Sequence, residues 1–265
     1  MLKYVFFTFF LIFGFSAAVA QLNFITANKI SNFSVDGDAY VGSDNLGYYY
    51  YLKNNVLIKK RGAELWQYQN VALGEINSVD IINPLKIVIF YENFNKVILV
   101  DNQLNEIQVI DFAFLQEPIV ARNVGMSGQN CLWVFDALTQ QIVLFNYETF
   151  KYHYLNQSLK STFICFQSDF NFVFWLDDQH VFYQMDAFGK KDIVDVACVF
   201  DAFQYYSNGG YIYSNNNKLF FKSKSTAVST LIKISETSIK NFTYSDKILT
   251  IFTGKEIISY NLNLP

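Results

Sequence analysis

Residues that commonly build active sites are scarce in this sequence. Its 265 residues include 2 His, 3 Cys and 3 Pro. It contains no H-x-x-H or H-E-x-x-H motif, no C-x-x-C pair, no G-x-S-x-G and no G-x-x-x-x-G-K-[ST]. These are the common signatures of zinc sites, thioredoxin-like redox sites, nucleophile elbows and phosphate-binding loops. We therefore predict no catalytic residue, no metal ligand and no cofactor, and leave the binding residues open.

Positive charge is also limited. Arg61 and Arg122 are the two arginines, the net charge is −3, and removal of Lys3 with a leader would make it −4. Nucleic-acid-binding domains usually carry a face rich in Arg and Lys. The basic cluster KKR, Lys59–Arg61, is small, and we interpret it as the solvated end of a strand. The composition argues against a nucleic-acid partner.

Helical patterns are nearly absent as well. Few windows place apolar residues at the spacing of an amphipathic helix. Instead, short runs of β-branched and aromatic residues alternate with clusters of Asn, Asp, Gly and Ser, which is typical of strands joined by turns. Because 52% of the residues are hydrophobic and 18% are aromatic, the chain can bury a large β-rich core.

The first twenty residues have the pattern of a secretory signal. Lys3 precedes the apolar run YVFFTFFLIFGF at 4–15, and Ala18 and Ala20 form an A-x-A cleavage pattern. We predict a signal peptide over 1–20, cleavage after Ala20 and export of a single domain over 21–265. An uncleaved membrane anchor is the alternative, but the run is shorter than the roughly 20 residues of a membrane span. We expect no transmembrane segment after cleavage.

Two kinds of strand recur with a period near 40 residues. The stretch IVIFY at 87–91 has counterparts whose starts lie 37 to 45 residues apart, at 47–51, 132–136, 172–176, 211–215 and 248–252. The stretch VILVD at 97–101 has counterparts whose starts lie 38 to 45 residues apart, at 56–60, 142–146, 181–185, 219–223 and 257–261. Repeats of this length with several strands each are typical of β-propeller blades.

Further candidate strands flank these pairs and complete four-stranded units. Those before the pairs lie at 78–82, 120–124, 162–166, 202–206 and 240–244, and those after them lie at 106–111, 151–155, 191–196 and 230–234. The last unit has three strands, and the stretch LNFITAN at 22–28 has no partner. We therefore predict an all-β, six-bladed β-propeller, closed by pairing of this N-terminal strand with the last blade, because closure removes an exposed sheet edge. A β-sandwich would not produce a sixfold period.

The stretch LWVFDALTQQIVLFN at 132–146 resembles the blade pattern of NHL and YVTN-type propellers, in which a β-run ending in Asp is followed by a polar turn and an apolar run. The stretches at 97–111 and 174–190 are looser versions. The signal sequence and the bias toward Lys, Asn, Phe and Tyr also resemble exported propellers of Bacteroidota-type bacteria. The resemblance implies an exported propeller. Some six-bladed propellers are lactonases that hold calcium with carboxylates in the central channel, so the fold alone does not exclude such a site.

Two groups of acidic residues bear on metal binding. Asp36 and Asp38 in VDGDAY resemble a fragment of a calcium loop, but the full pattern with its terminal Glu is missing, and we interpret the segment as a turn. Asp177, Asp178 and His180 lie across a tight turn, which we interpret as a solvated hairpin tip.

The three cysteines lie in apolar, strand-like segments. Cys131, Cys165 and Cys198 are widely spaced and odd in number, so they do not form a disulfide framework. We expect them to be small buried hydrophobic residues.

These observations favour a non-catalytic binding or scaffold protein of the bacterial cell envelope. We expect it to contact other envelope or secreted proteins through a rigid propeller face. One alternative is a hydrolase or lactonase with acidic residues, and possible calcium, in the channel. A lower alternative is a carbohydrate-binding module with exposed aromatic residues such as Trp66 and Tyr68. A strand pair that occurs in every blade indicates structural framework, so we expect any special chemistry where the blades differ in sequence.

Overall fold

The structure is a computed structural model that describes residues 24–206, 210–226 and 228–265. Within these residues the strands, in chain order, are β1 (Phe24–Thr26), β2 (Asn28–Ser34), β3 (Ala39–Ser43), β4 (Tyr49–Lys53), β5 (Val56–Arg61), β6 (Glu64–Tyr68), β7 (Ser78–Asp80), β8 (Ile87–Tyr91), β9 (Lys96–Val100), β10 (Glu106–Asp111), β11 (Ala121–Met126), β12 (Cys131–Asp136), β13 (Gln141–Asn146), β14 (Tyr152–Tyr154), β15 (Phe163–Ser168), β16 (Phe172–Asp177), β17 (Val181–Asp186), β18 (Lys191–Val196), β19 (Ala202–Tyr206), β20 (Gly210–Asn215), β21 (Lys218–Lys222), β22 (Thr230–Lys233), β23 (Asn241–Ser245), β24 (Ile248–Phe252) and β25 (Glu256–Asn261). Short 3-10 helices lie at Val71–Leu73, Glu92–Phe94 and Phe112–Phe114.

The described strands form six sheets, which are the six blades of a β-propeller. Blades 1 to 4 are the antiparallel sheets β3–β6, β7–β10, β11–β14 and β15–β18, each with its strands in chain order. Blade 5 contains β19–β22, and blade 6 contains β23–β25. The predicted fold class is confirmed, and the predicted strand pairs coincide with the second and third strands of the blades to within two residues.

The N-terminal region contributes to two blades. The strand β2 pairs antiparallel with β25 and completes blade 6. The strand β1 pairs in parallel with β22, at the outer edge of blade 5. The stretch at 22–28 was predicted to pair with the last blade. Within it, β1 pairs with blade 5 instead, and Asn28 begins β2, the strand that pairs with blade 6.

The apolar core is divided among the gaps between blades. The described residues form six buried clusters, and each joins two neighbouring blades. In β8, Val88 and Phe90 pack toward blade 3, whereas Ile87, Ile89 and Tyr91 pack toward blade 1. Successive side chains of a strand point to opposite faces. The second and third strands therefore read as continuous apolar runs, because both of their faces are buried.

Hydrogen bonds and apolar contacts also join blade 6 to blade 1. The Asn241 side chain donates to the Tyr40 carbonyl at 3.0 Å, and the hydroxyls of Tyr40 and Thr243 lie 3.2 Å apart. One of the buried clusters contains Phe252 of blade 6 and Ile58 of blade 1. The first and last blades are thus in direct contact.

Two glutamines on the first strands fasten the later blades together. Gln167 donates to the Phe203 carbonyl at 2.9 Å and accepts from the Tyr205 amide at 2.8 Å. Gln204, in the next blade, donates to the Tyr244 carbonyl at 3.1 Å and accepts from the Tyr244 amide at 2.6 Å. Each amide satisfies a donor and an acceptor on the neighbouring first strand, which fixes the spacing of the blades.

The turn before each third strand of blades 1 to 5 contains a residue in the left-handed region. These residues are Asn55, Asn95, Gln140, His180 and Asn217, with φ between 55° and 61°. Asn tolerates this conformation better than most residues. The side chains of Asn55 and Asn217 also accept from amides of the connection to the next blade, and that of Asn95 accepts from the Ala121 amide at the start of β11. One residue type therefore shapes the turn and anchors the connection.

Candidate functional site

The ring has two faces and a cavity at its centre. We call the upper face the one formed by the turns between second and third strands and by the connections between blades. The lower face contains the remaining turns. The cavity has a volume of about 810 Å³ and is lined by first strands and by lower-face turns of several blades. A volume of this size is in the range of ligand sites.

Asp80 makes contacts with three blades from the wall of this cavity. One carboxylate oxygen accepts from the Ile82 amide at 2.8 Å. The other accepts from the Met126 amide of blade 3 at 2.7 Å and from the Ser168 hydroxyl of blade 4 at 3.3 Å. Gly125 allows this approach, because a Cβ there would lie 2.1 Å from the Ser168 hydroxyl oxygen. Asp80 therefore links the first strands of blades 2, 3 and 4 at the centre of the ring.

The surroundings of Asp80 disfavour its charged form. Asp80 lines the cavity, and burial raises the pKa of its carboxyl above the ordinary value of 3.8, against the lowering effect of hydrogen bonds from Ile82, Met126 and Ser168. Burial raises carboxyl pKa values because it removes water from the charged form. No described cation makes an ion pair with Asp80 in the structure.

The raised pKa predicts a pH-dependent effect of Asp80→Asn. An acid whose pKa is higher in the folded protein contributes stability that is present at low pH and lost as the pH rises through the folded-state pKa. The free energy of unfolding of the wild-type protein should therefore fall relative to that of Asp80→Asn as the pH rises above the ordinary carboxyl pKa of 3.8. The substitution also removes an acceptor for the Met126 amide, which costs about 1 kcal/mol at every pH. Urea unfolding measures both terms, and a pH-independent difference would contradict a raised pKa.

Other aspartates line the cavity where it meets the lower face. Asp44, Asp169 and Asp246 lie there, together with Lys247. Asp44 accepts from the Leu46 and Tyr48 amides and from the Tyr50 hydroxyl. Asp169 accepts from two amides of its own turn. Across the described residues, no three His, Cys, Asp or Glu side chains lie close enough together to hold a metal ion.

The acidic groups singled out in the sequence lie on the upper face, Asp36 and Asp38 in the connection from β2 to β3 and Asp177 at the turn between β16 and β17. Asp36 pairs with Lys53 at 2.6 Å, and Asp38 accepts from the Asn54 amide at 2.6 Å. Asp177 is buried, and one oxygen accepts from the Gln179 and Val181 amides at 3.0 and 2.9 Å. Asp177 thus shapes its own turn, but the interpretation of a solvated hairpin tip was wrong for it, because this carboxylate is buried. Asp36 and Asp38 contact the segment that joins β4 to β5.

The cysteines are free thiols that do not all lie in the core. Cys165 is partly buried, and burial raises the pKa of its thiol to about 12. Cys198 is exposed, so the expectation that all three are buried was wrong for it. Cys198 lies just beyond the end of β18, in the connection to blade 5, where the backbone leaves the sheet.

The basic cluster at 59–61 also differs from its predicted state. The Lys59 residue is only 2% exposed, and its ammonium donates to the Asn102 carbonyl at 2.7 Å. It lies over the rings of Tyr48 and Trp66, 4.4 and 5.6 Å from their centroids. The interpretation as a solvated strand end was therefore wrong for Lys59, since its long stem reaches into the gap between blades 1 and 2.

The aromatic residues of the carbohydrate hypothesis are not available at the surface. Tyr68 is buried and donates to Glu106 at 2.7 Å, and Trp66 is half-buried against the Tyr48 ring. Their exposed area is thus small, and the structure gives no support to a sugar platform at these two side chains.

A row of exposed apolar side chains crosses the upper face of blades 1 to 3, and sequence reasoning missed it. We call it the apolar row, and its members are Val71 (82% exposed), Phe94 (46%), Phe114 (87%), Val120 (47%) and Leu138 (74%). Three of them lie in the three 3-10 helices. In the described turns and connections of the upper face of blades 4 to 6, Val199 is the exposed large apolar residue. The blades therefore differ most strongly at this surface.

The described residues contain no helix with the length and apolar character needed to span a membrane. The predicted signal peptide and its cleavage site after Ala20 lie outside the described residues.

Comparison with known proteins identifies the fold and no family. No protein-family model matches the sequence, and no curated protein matches it. Among solved structures, streptogramin B lyase is similar with a TM-score of 0.57 and 10% identity, over 91% of this chain and 98% of that chain. BBS1N, solved in complex with ARL6DN, is similar with a TM-score of 0.59 and 11% identity, over 91% of this chain and 98% of that chain.

A third similar structure is the extracellular domain of the two component system protein BT4673 from B. thetaiotaomicron. Its TM-score is 0.53 with 10% identity, over 91% of this chain and 40% of that chain. Identities this low show a shared fold and nothing about activity. The chain is a six-bladed β-propeller with structural neighbours that include an enzyme, a propeller in a protein complex and an extracellular domain.

Proposed function

We propose that this chain is a non-catalytic binding or scaffold protein of the bacterial cell envelope, which contacts envelope or secreted proteins through the upper face of its propeller. The observation that carries the proposal is the apolar row, because exposed apolar side chains that lie together on a folded protein mark interaction sites. We further propose that the signal at 1–20 is cleaved after Ala20 and directs export.

The construction of the ring supports this role. Gln167 and Gln204 fix neighbouring first strands, and Asp80 ties three blades at the centre. A rigid surface loses little conformational freedom when a partner binds, so more of the contact energy appears as affinity. The apolar row is thus displayed on a preorganised frame.

A channel-sited hydrolase or lactonase is the second candidate, and the four aspartates that line the cavity favour it. Their oxygens, however, are largely engaged with amides and hydroxyls, as Asp44 and Asp80 illustrate. Calorimetric titration of the purified protein with calcium tests this candidate directly. Stoichiometric binding that is lost in Asp80→Asn would favour the hydrolase over the scaffold.

Co-purification tests the scaffold function. The tagged full-length protein is expressed in its host, cross-linked in the intact envelope, purified and analysed by mass spectrometry. We expect the same proteins to be recovered with the wild type and with Phe188→Asp, a control at a 95% exposed lower-face residue. They should be lost with the double variant Phe114→Asp and Leu138→Asp. Recovery of no reproducible partner, or of the same partners from all three proteins, would count against the proposal.

A further inference from the structure

We propose that the apolar row binds a basic amphipathic segment of a partner protein, a segment whose apolar side chains are interspersed with Lys or Arg. This inference rests on the proposed scaffold function and adds the chemistry of the partner. It depends on the continuity of the row and on the sign of the charge beside it.

Contacts between successive loops join the segments that carry the row. Gly74, three residues after Val71, lies beside the Phe94 ring, since a Cβ on Gly74 would be 3.5 Å from it. The next residue, Asn95, donates from its side chain to the Ile119 carbonyl at 2.7 Å. The connection that contains Phe114 and Val120 continues to blade 3, where the Ala137 amide donates to the Val120 carbonyl at 2.7 Å. The loops that display the five side chains thus form one unbroken path.

The charge of these loops is negative. The segments 69–77, 92–95, 112–120 and 137–140 contain Glu75, Glu92 and Glu117 and neither Lys nor Arg. None of the three glutamates takes part in an ion pair among the described residues. Among the cations beside these loops, Lys96 is paired with Asp111 at 2.9 Å. Arg122 is exposed two residues after Val120, and the exposed Lys160 follows Leu159, whose amide donates to the Gln140 carbonyl.

A small polar cavity adjoins the apolar row. It has a volume of about 230 Å³ and is lined by Glu75, Ile76, Asn77, Glu92 and Asn93. The Asn77 side chain donates to one Glu92 oxygen at 2.8 Å, and both Glu75 and Glu92 line the cavity. Two carboxylates that line one small cavity suit the charged head group of a lysine or arginine. The neighbouring Phe94 ring would cover the apolar stem of such a side chain.

The same charges decide between possible occupants. A second copy of this chain bound face to face would bring two sets of glutamates together, and like charges across an interface repel each other. An anionic lipid surface would be repelled for the same reason. A segment that combines apolar side chains with Lys or Arg satisfies both the row and its acidic border.

Binding of a defined peptide tests the inference. The probe is a fluorescein-labelled peptide of about fifteen residues, with Leu and Phe at helical spacing and Lys elsewhere. We expect saturable binding by fluorescence anisotropy, with the affinity falling as NaCl rises from about 50 to about 300 mM. The variant Phe114→Ser with Leu138→Ser should weaken binding at least about tenfold, and Glu75→Gln with Glu92→Gln about fivefold.

The controls separate this site from general adhesion. Phe188→Ser, at an exposed phenylalanine on the lower face, should leave the affinity unchanged. A peptide with Glu in place of Lys should not bind, the wild-type protein should sediment as a monomer, and it should not pellet with vesicles of phosphatidylglycerol. Equal binding of the acidic peptide, equal loss with Phe188→Ser, or self-association through the row would overturn the inference. Partner capture that depends on the row, combined with no binding of the basic peptide, would overturn the inference and leave the scaffold function standing.

Discussion

Gly189→Ala is expected to lower the free energy of unfolding by about 2 to 5 kcal/mol. Gly189 has a φ of +81°, in the left-handed region that disfavours residues with a Cβ. A Cβ at this position would also lie 2.3 Å from the Leu155 carbonyl oxygen of the neighbouring blade. The obstacle is backbone, which cannot rotate away as a side chain can. Urea unfolding of the two proteins measures the difference.

Gly62→Ala provides the matched control. Gly62 also lies in a turn between third and fourth strands, its φ is +58°, and no atom lies within 4 Å of the position of its Cβ. It should therefore incur the conformational cost alone, about 1 to 2 kcal/mol. The excess loss in Gly189→Ala reports the contact between blades 3 and 4. Equal losses in the two variants would show that this close contact does not exist in solution.

Lys59→Ala is expected to cost about 2 to 4 kcal/mol, although the residue removed is a lysine. Its stem is buried between blades 1 and 2, its ammonium lies over the Tyr48 and Trp66 rings, and it is a donor to the Asn102 carbonyl. Burial lowers the pKa of this ammonium. The substitution removes packing and cation–π attraction and leaves a carbonyl without this partner. Thermal or urea unfolding measures the loss.

Two further variants separate the contribution of the buried stem to the free energy of unfolding from that of the ammonium charge. Lys60→Ala changes the adjacent residue, which is not buried, and should alter the free energy of unfolding by less than about 0.5 kcal/mol. Lys59→Met keeps an unbranched apolar stem and removes the charge, so it should recover about half of the loss. A Lys59→Ala protein as stable as Lys60→Ala would mean that the lysine is solvated, as its sequence context suggested.

The fold could be predicted because its strongest signals lie in the middle strands. Strands such as β8 bury both faces, so that IVIFY reads as an apolar run wherever a blade repeats it. The outer and inner strands of blade 1 were not predicted, because β3 (AYVGS) and β6 (ELWQY) mix polar and apolar residues. The strand β2 is largely exposed and polar, so its role in blade 6 has no hydrophobic signature.

The candidate binding surface could not be predicted in the same way. Val71, Phe94, Phe114, Val120 and Leu138 are spread over almost seventy residues and belong to four separate loops. An isolated apolar residue in a loop carries no signal, because many such residues are simply exposed. The ring topology brings these loops to one side, and the difference between blades then becomes visible. The turn at Asp177, by contrast, follows from local hydrogen bonding and was predicted correctly, whereas the burial of its carboxylate was not.

The pairing of β2 with β25 has a consequence for the order of folding. Asn32 and Glu256, which are bonded across this pair, are 224 positions apart in the chain. Contacts so distant in sequence form slowly, because a long loop must close before they are gained. The strand β2 therefore cannot pair until β25 has been synthesised, and until then the unpaired edge of β2 is free to pair with other chains. The ring closes only when the hairpin of β24 and β25 pairs with β2, and until then it remains open.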